Sequence, residues 1–114
     1  MVSLDVLRKL ALSFPEAEEK PHFEKASFRV KKKIFATLSV TNKRCVVKLS
    51  AVDQSVFCKF DSQVIYPAKG AWGKQGWTII ELKKVPKKLF QDALITSYCE
   101  VAPEKLAKLL RPDY

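Results

Sequence analysis

The chain has no aspartate or glutamate between residues 29 and 48, a stretch that holds seven Lys or Arg. No apolar run approaches the roughly 18 residues that a membrane helix needs. No Pro-, Gly- or Ser-rich linker interrupts the 114 residues, of which 47% are apolar. That fits one domain, residues 1–114, built on one core. Histidine occurs once, at His22. The three cysteines, Cys45, Cys58 and Cys99, are odd in number, far apart and free of CxxC spacing. That argues against a disulfide scaffold and a metal site, and for a reducing, cytoplasmic setting. The opening Met-Val-Ser-Leu-Asp leads into an amphipathic helix and does not read as a signal peptide.

What is present is positive charge. The formal net charge is +9, and residues 29–48, RVKKKIFATLSVTNKRCVVK, supply +7 of it. Such a field attracts polyanions and speeds encounter, although lysine-rich surfaces also keep small proteins soluble. Most of the charge is Lys, a point charge without bidentate geometry, which favours backbone contact over base reading.

Hydropathy patterning gives the elements. Ser3 can cap a helix carrying Leu4, Leu7, Leu10, Ala11 and Phe14, stopped by Pro15. Residues 15–25, PEAEEKPHFEK, read as an acidic loop. Ala26 to Val30 alternates as a strand, Lys31 to Lys33 turns, and Ile34 to Ser39 returns. After a turn at Thr41 and Asn42, Arg44 to Leu49 forms a third strand, with Cys45, Val47 and Leu49 on one face. A meander of these three would place Arg29, Arg44 and Lys48 on its outer face. Ser50 opens a second helix with Val52, Val56, Phe57 and Phe60 as its apolar stripe. Val64 to Tyr66 is a short strand, residues 68–76 a loop, and Trp77 to Leu82 a strong strand. Pro86 and Pro103 open two further helices. The expected class is α+β: a mostly antiparallel five-stranded sheet with helices packed on one side, in the order α-β-β-β-α-β-β-α-α.

Several segments carry a resemblance. The opening FPEAEEKPHF, the hairpin FRVKKKIFATLS, the later GKQGWTIIEL and the helical segment from Val85 and Pro86 together resemble the MmcQ/YjbR family. The resemblance implies a small bacterial protein with a CyaY-like (frataxin-like) fold, of a family commonly labelled DNA-binding. Many members read roughly Asn-Lys-Arg-His-Trp before the tryptophan. Here the stretch is Gly73, Lys74, Gln75, Gly76, Trp77, so only Lys74 and Trp77 match. Members often carry Gly before the Lys of the hairpin turn, where this chain has three lysines.

Individual residues narrow the chemistry. His22 lacks an orienting partner and a nucleophile fixed beside it, so it reads as a loop residue rather than a general base. A frataxin-like fold raises the question of metal at Glu16, Glu18 and Glu19. Three carboxylates on a turn beside Lys20 lack the converging oxygens of a cage, and they read as an offset to the basic field. GAWGKQG lacks the spacing of a phosphate-binding loop. Trp77 reads as core, and Trp72 as a stacking or partner contact. No catalytic residue, metal or cofactor is expected. The candidate nucleic-acid contacts are Arg29, Lys31, Lys32, Lys33, Lys43, Arg44, Lys48 and Lys74, with Lys83, Lys84, Lys87 and Lys88 as a second patch. The partners to expect are DNA or another protein, with no membrane, for a monomer or weak dimer. A protein-interaction module using the Trp72 loop is the alternative, and a small-ligand binder or enzyme ranks last.

Overall fold

A computed structural model describes residues 1–111. Helix α1 spans Leu4–Ser13, and the Ser3 hydroxyl accepts the Val6 N–H at its start. The helix stops because Pro15 forces the residue before it, Phe14, into extended geometry. Leu7 and Ala11 are its buried residues.

The sheet has six strands, not five, in the order β1-β2-β3-β4-β6-β5, with every neighbouring pair antiparallel. These are β1 (Ala17–His22), β2 (Lys25–Val30), β3 (Lys33–Ser39), β4 (Arg44–Lys48), β5 (Ile65–Pro67) and β6 (Trp77–Glu81). The additional strand is β1, which occupies the expected loop. Its sequence, AEEKPH, shows no apolar alternation because it lies at the sheet edge, where Glu18, Glu19, Lys20 and Pro21 are all exposed. Proline is compatible with an edge, where a missing N–H breaks no ladder. The meander β2-β3-β4 forms as its alternation predicts.

A bulge in β3 shapes both faces of the sheet. Phe28 pairs with Ala36 and Arg29 with Ile34, so Phe35 is the extra residue. Phe35 and Ala36 are consequently both buried, while Ile34 turns to the opposite face. The core joins this inner face to α1 and to α4 (Lys87–Val101), which packs on β3 and β4. At its centre the Tyr98 ring meets Phe14 at 5.2 Å and Phe35 at 5.4 Å between centroids. The Tyr98 hydroxyl donates to the Pro15 carbonyl at 2.6 Å, tying α4 to the α1–β1 connection.

Helix α2 (Ala51–Cys58) is capped by Ser50, whose hydroxyl accepts the Asp53 N–H at 3.1 Å. Its expected stripe is not buried. Only Phe57 enters the core, while Val52, Val56 and Phe60 lie on the exposed side. The helix packs mainly on the short β5, which covers one flank of it. A one-turn helix α3 (Ala71–Lys74) replaces the middle of the expected loop, and α5 (Glu104–Leu110) packs on α4.

Candidate nucleic-acid interface

Strand register defines the outer face. One row of paired residues crosses the whole sheet: Lys20, Ser27, Thr37, Val46, Ile79 and Tyr66. Arg44 pairs with Glu81 and Lys48 with Trp77 on the same face. Arg29 lies there too, opposite Ile34. The expected grouping of Arg29, Arg44 and Lys48 on one outer surface therefore forms.

That surface is not uniformly basic. Its middle is an open groove with a cavity volume of about 580 Å³. Ile34, Thr37, Val46 and Ile79 form the floor. Trp77, together with Ala68, Lys69 and Trp72 from the segment joining β5 to α3, forms one end, and His22 and Lys25 of the β1–β2 hairpin form the other. Trp77 thus belongs to the outer face rather than the core. The strand WTIIE is apolar on both sides, which hides its orientation, but Glu81 lies in phase with Ile79 and Trp77 and marks their side as the wet one.

The aromatic end is held by backbone packing. A Cβ on Gly73 would stand 2.0 Å from the Ala68 carbonyl oxygen, and one on Gly76 would stand 1.9 Å from that of Leu49. Only glycine permits these approaches, and Gly76 also has φ +104°. Gln54 of α2 reaches the Gly73 carbonyl and the Thr78 hydroxyl, each at 3.0 Å, which ties α3 to β6. Trp72, on α3, is left 64% exposed.

The candidate cations fall into two groups. Several are already engaged. Arg29 Nε donates to the Ser27 hydroxyl at 3.0 Å. Lys31 pairs with Glu16 at 2.7 Å, and Arg44 with Glu81 at 2.8 Å. Lys48 donates to the Gln75 carbonyl and stands 5.7 Å from the Trp77 ring centre. Tyr66 donates to the same Glu81 oxygen, and burial followed by that bond raises its pKa above the ordinary phenol value. The remaining four, Lys32, Lys33, Lys43 and Lys74, are exposed and form no ion pair among the described residues. Lys32 and Lys33 sit at one end of β3, Lys43 at the other, and Lys74 at the end of α3. The Lys43 carbonyl accepts the Leu82 N–H at 3.0 Å, so the first basic run meets Lys83 and Lys84 of the second at one end of the sheet.

Lys25, Lys69 and Phe23 escape sequence reasoning. They lie in segments that carry no periodic signal, and only the pairing of β1 with β2 brings the first hairpin to the groove. Glu16, Glu18 and Glu19 do not converge: they pair with Lys31, Lys20 and Arg8 respectively. Among the described residues no group of three or more His, Cys, Asp or Glu could hold a metal ion. No described helix is long and apolar enough to cross a membrane. Burial pushes the Cys45 thiol up to about 12, which removes it from nucleophilic chemistry near neutral pH.

A crystal structure of the Deinococcus radiodurans protein DR2400, with its domain DUF419, is similar to this chain. The two superpose with a TM-score of 0.77 at 25% identity, over 88% of this chain and 78% of that one. No curated protein matches the sequence significantly. The sequence model of the YjbR family matches residues 12–100, from the end of α1 through nearly all of α4, and the chain belongs to the YjbR family.

Proposed function

We propose that this small α+β protein binds nucleic acid in the cytoplasm through the outer face of its sheet, without base selectivity. Lys25 and Lys69 contact phosphates in the groove, and Lys32, Lys33, Lys43 and Lys74 extend the contact from the ends of the sheet and of α3. The observation that carries this reading is the open outer groove, with exposed Lys25 and Lys69 in its lining and no carboxylate there. Arg29, Lys31, Arg44 and Lys48 contribute to the field but already have partners, so their loss matters less than that of the four lysines that form no ion pair among the described residues. The groove does contain His22, but no carboxylate or thiol lines it, so the groove offers no acid–base pair.

The test is fluorescence anisotropy of labelled DNA at ionic strengths from about 50 to 200 mM, where phosphate contacts dominate the salt response. Reversing charge at Lys32, Lys33, Lys43 and Lys74 should flatten the salt slope by about 0.9 per lost contact and leave the fold intact. Unchanged affinity in that variant would refute the reading. The exposure of Trp72 favours one second reading, a protein partner docked on the α3 loop. Absence of nucleic-acid affinity, combined with a stoichiometric partner that is lost in Trp72→Ala, would select it.

A further inference from the structure

Resting on the nucleic-acid reading, we propose that the groove is a slot for an unstacked base, so that this protein prefers single strands to duplex. The aromatic side chains carry the inference. Phe23 and Trp72 are the most exposed aromatic residues among those described, at 94% and 64%. They stand near opposite ends of the same groove. Trp72 lines one end, and Phe23 sits 4.9 Å from His22, which lines the other.

The position of Phe23 has no structural return. Its φ is +58°, a region that costs a bulky residue, and its side chain is 94% exposed, with the His22 ring as its aromatic neighbour. A fold selected only for stability would place Asn or Gly at that tip. An aromatic held there is available to something outside the chain.

The chemistry of the slot matches a base attached to a phosphate. The floor carries Ile34, Val46 and Ile79, and its apolar side chains suit a ring face. Trp77 closes one end, with the Lys48 ammonium 5.7 Å from its ring centre, so a ring and a cation are presented together. Lys25 and Lys69 stand at the two ends, and no carboxylate lies between. Its volume of about 580 Å³ falls in the range of small-ligand sites. Bases within a duplex are stacked and cannot reach such a floor unless they are extruded, whereas a single strand offers them at little cost.

The chain contains two tryptophans, Trp72 and Trp77, and both line the groove, so intrinsic fluorescence reads the slot directly. An oligo-dT of about ten nucleotides, within the usual site size of single-strand binders, is titrated beside a duplex of the same length and thymidine monophosphate. The expected result is strong quenching by the oligomer and affinity about tenfold or more above that for duplex. Trp72→Leu should weaken single-strand binding by about tenfold or more, as loss of one stacked base does, and leave duplex affinity within about twofold. Trp72→Phe should restore most of the loss. Equal affinity for strand and duplex without quenching would overturn the slot and leave the phosphate reading standing. Quenching by the monophosphate as tight as by the strand would overturn it in favour of a small-molecule site. No binding of any of the three would overturn both readings together.

Discussion

Replacing Lys32 with Gly should stabilise this protein. Strands β2 and β3 close with Val30 opposite Lys33, so Lys31 and Lys32 are the two turn residues, with φ of +50° and +69°. Both φ values are positive, as in the tight hairpin turn that Asn-Gly normally fills. An L-residue with a side chain costs about 1–2 kcal/mol in the left-handed region. Glycine relieves that strain but adds about 0.4–1 kcal/mol of unfolded-chain entropy. The net gain at Lys32 is then roughly 0.5–1 kcal/mol, since Lys32 has no ion pair to lose among the described residues. Adding Lys31→Asn should bring a smaller gain, because the Glu16 pair at 2.7 Å is lost; both partners are about half exposed, so that pair is worth under about 1 kcal/mol. Urea unfolding followed by circular dichroism should show a higher midpoint with an unchanged slope. The same variants should bind DNA more weakly, with a salt slope reduced by about 0.9 for each phosphate contact removed. A midpoint that stays fixed or falls in Lys32→Gly would refute the strain argument, whatever happened to binding.

Three further outcomes are expected. Tyr98→Phe removes the donor to the part-buried Pro15 carbonyl and should cost about 0.5–1.5 kcal/mol in the same urea assay, while a near-neutral result would mean that water replaces the hydroxyl. Gly76→Ala should destabilise by about 3 kcal/mol or more, because the new Cβ would meet the Leu49 carbonyl at 1.9 Å; a folded, equally stable variant would contradict the packing at α3. Stability should fall as pH rises above 9, because the unfolded Cys45 thiol ionises there while the folded one stays protonated until about 12. The slope from that one group is about 1.4 kcal/mol per pH unit; Tyr98, also pushed up to about 12, adds its own above 10, and Cys45→Ala measured from pH 8 to 11 should show the shallower fall.

The helix starts were legible because Ser3, Ser50, Pro86 and Pro103 act on their own neighbours, and capping is local. The meander was legible because Ala26 to Leu49 alternates with one apolar face. Strand β1 was not, since an edge strand that buries little needs no alternation. The stripe of α2 misled for the opposite reason: helical spacing records which residues share a face, not whether anything covers it. The outer positions of Arg29, Arg44 and Lys48 followed from period-two register. The partners of Lys31, Arg44 and Lys48 did not, because Glu16, Glu81 and Gln75 come from distant parts of the chain. The groove itself was invisible. It depends on the bulge at Phe35 turning Ile34 outward, and on two backbone approaches at Gly73 and Gly76 that no pattern announces.

The composition of β1 bears on how the protein survives at high concentration. A six-stranded sheet with an apolar groove on one face invites other chains to add on as further strands. Here one border ends in β1, where three exposed charged residues, Glu18, Glu19 and Lys20, disfavour an added apolar strand and Pro21 withholds a donor. The other border is β5, three residues long and closed by Pro67. Both borders resist templating, so the groove can stay uncovered without seeding fibres. Substituting Pro21 and the three charged residues by Thr and Val should leave the groove unchanged and convert the protein into one that self-associates.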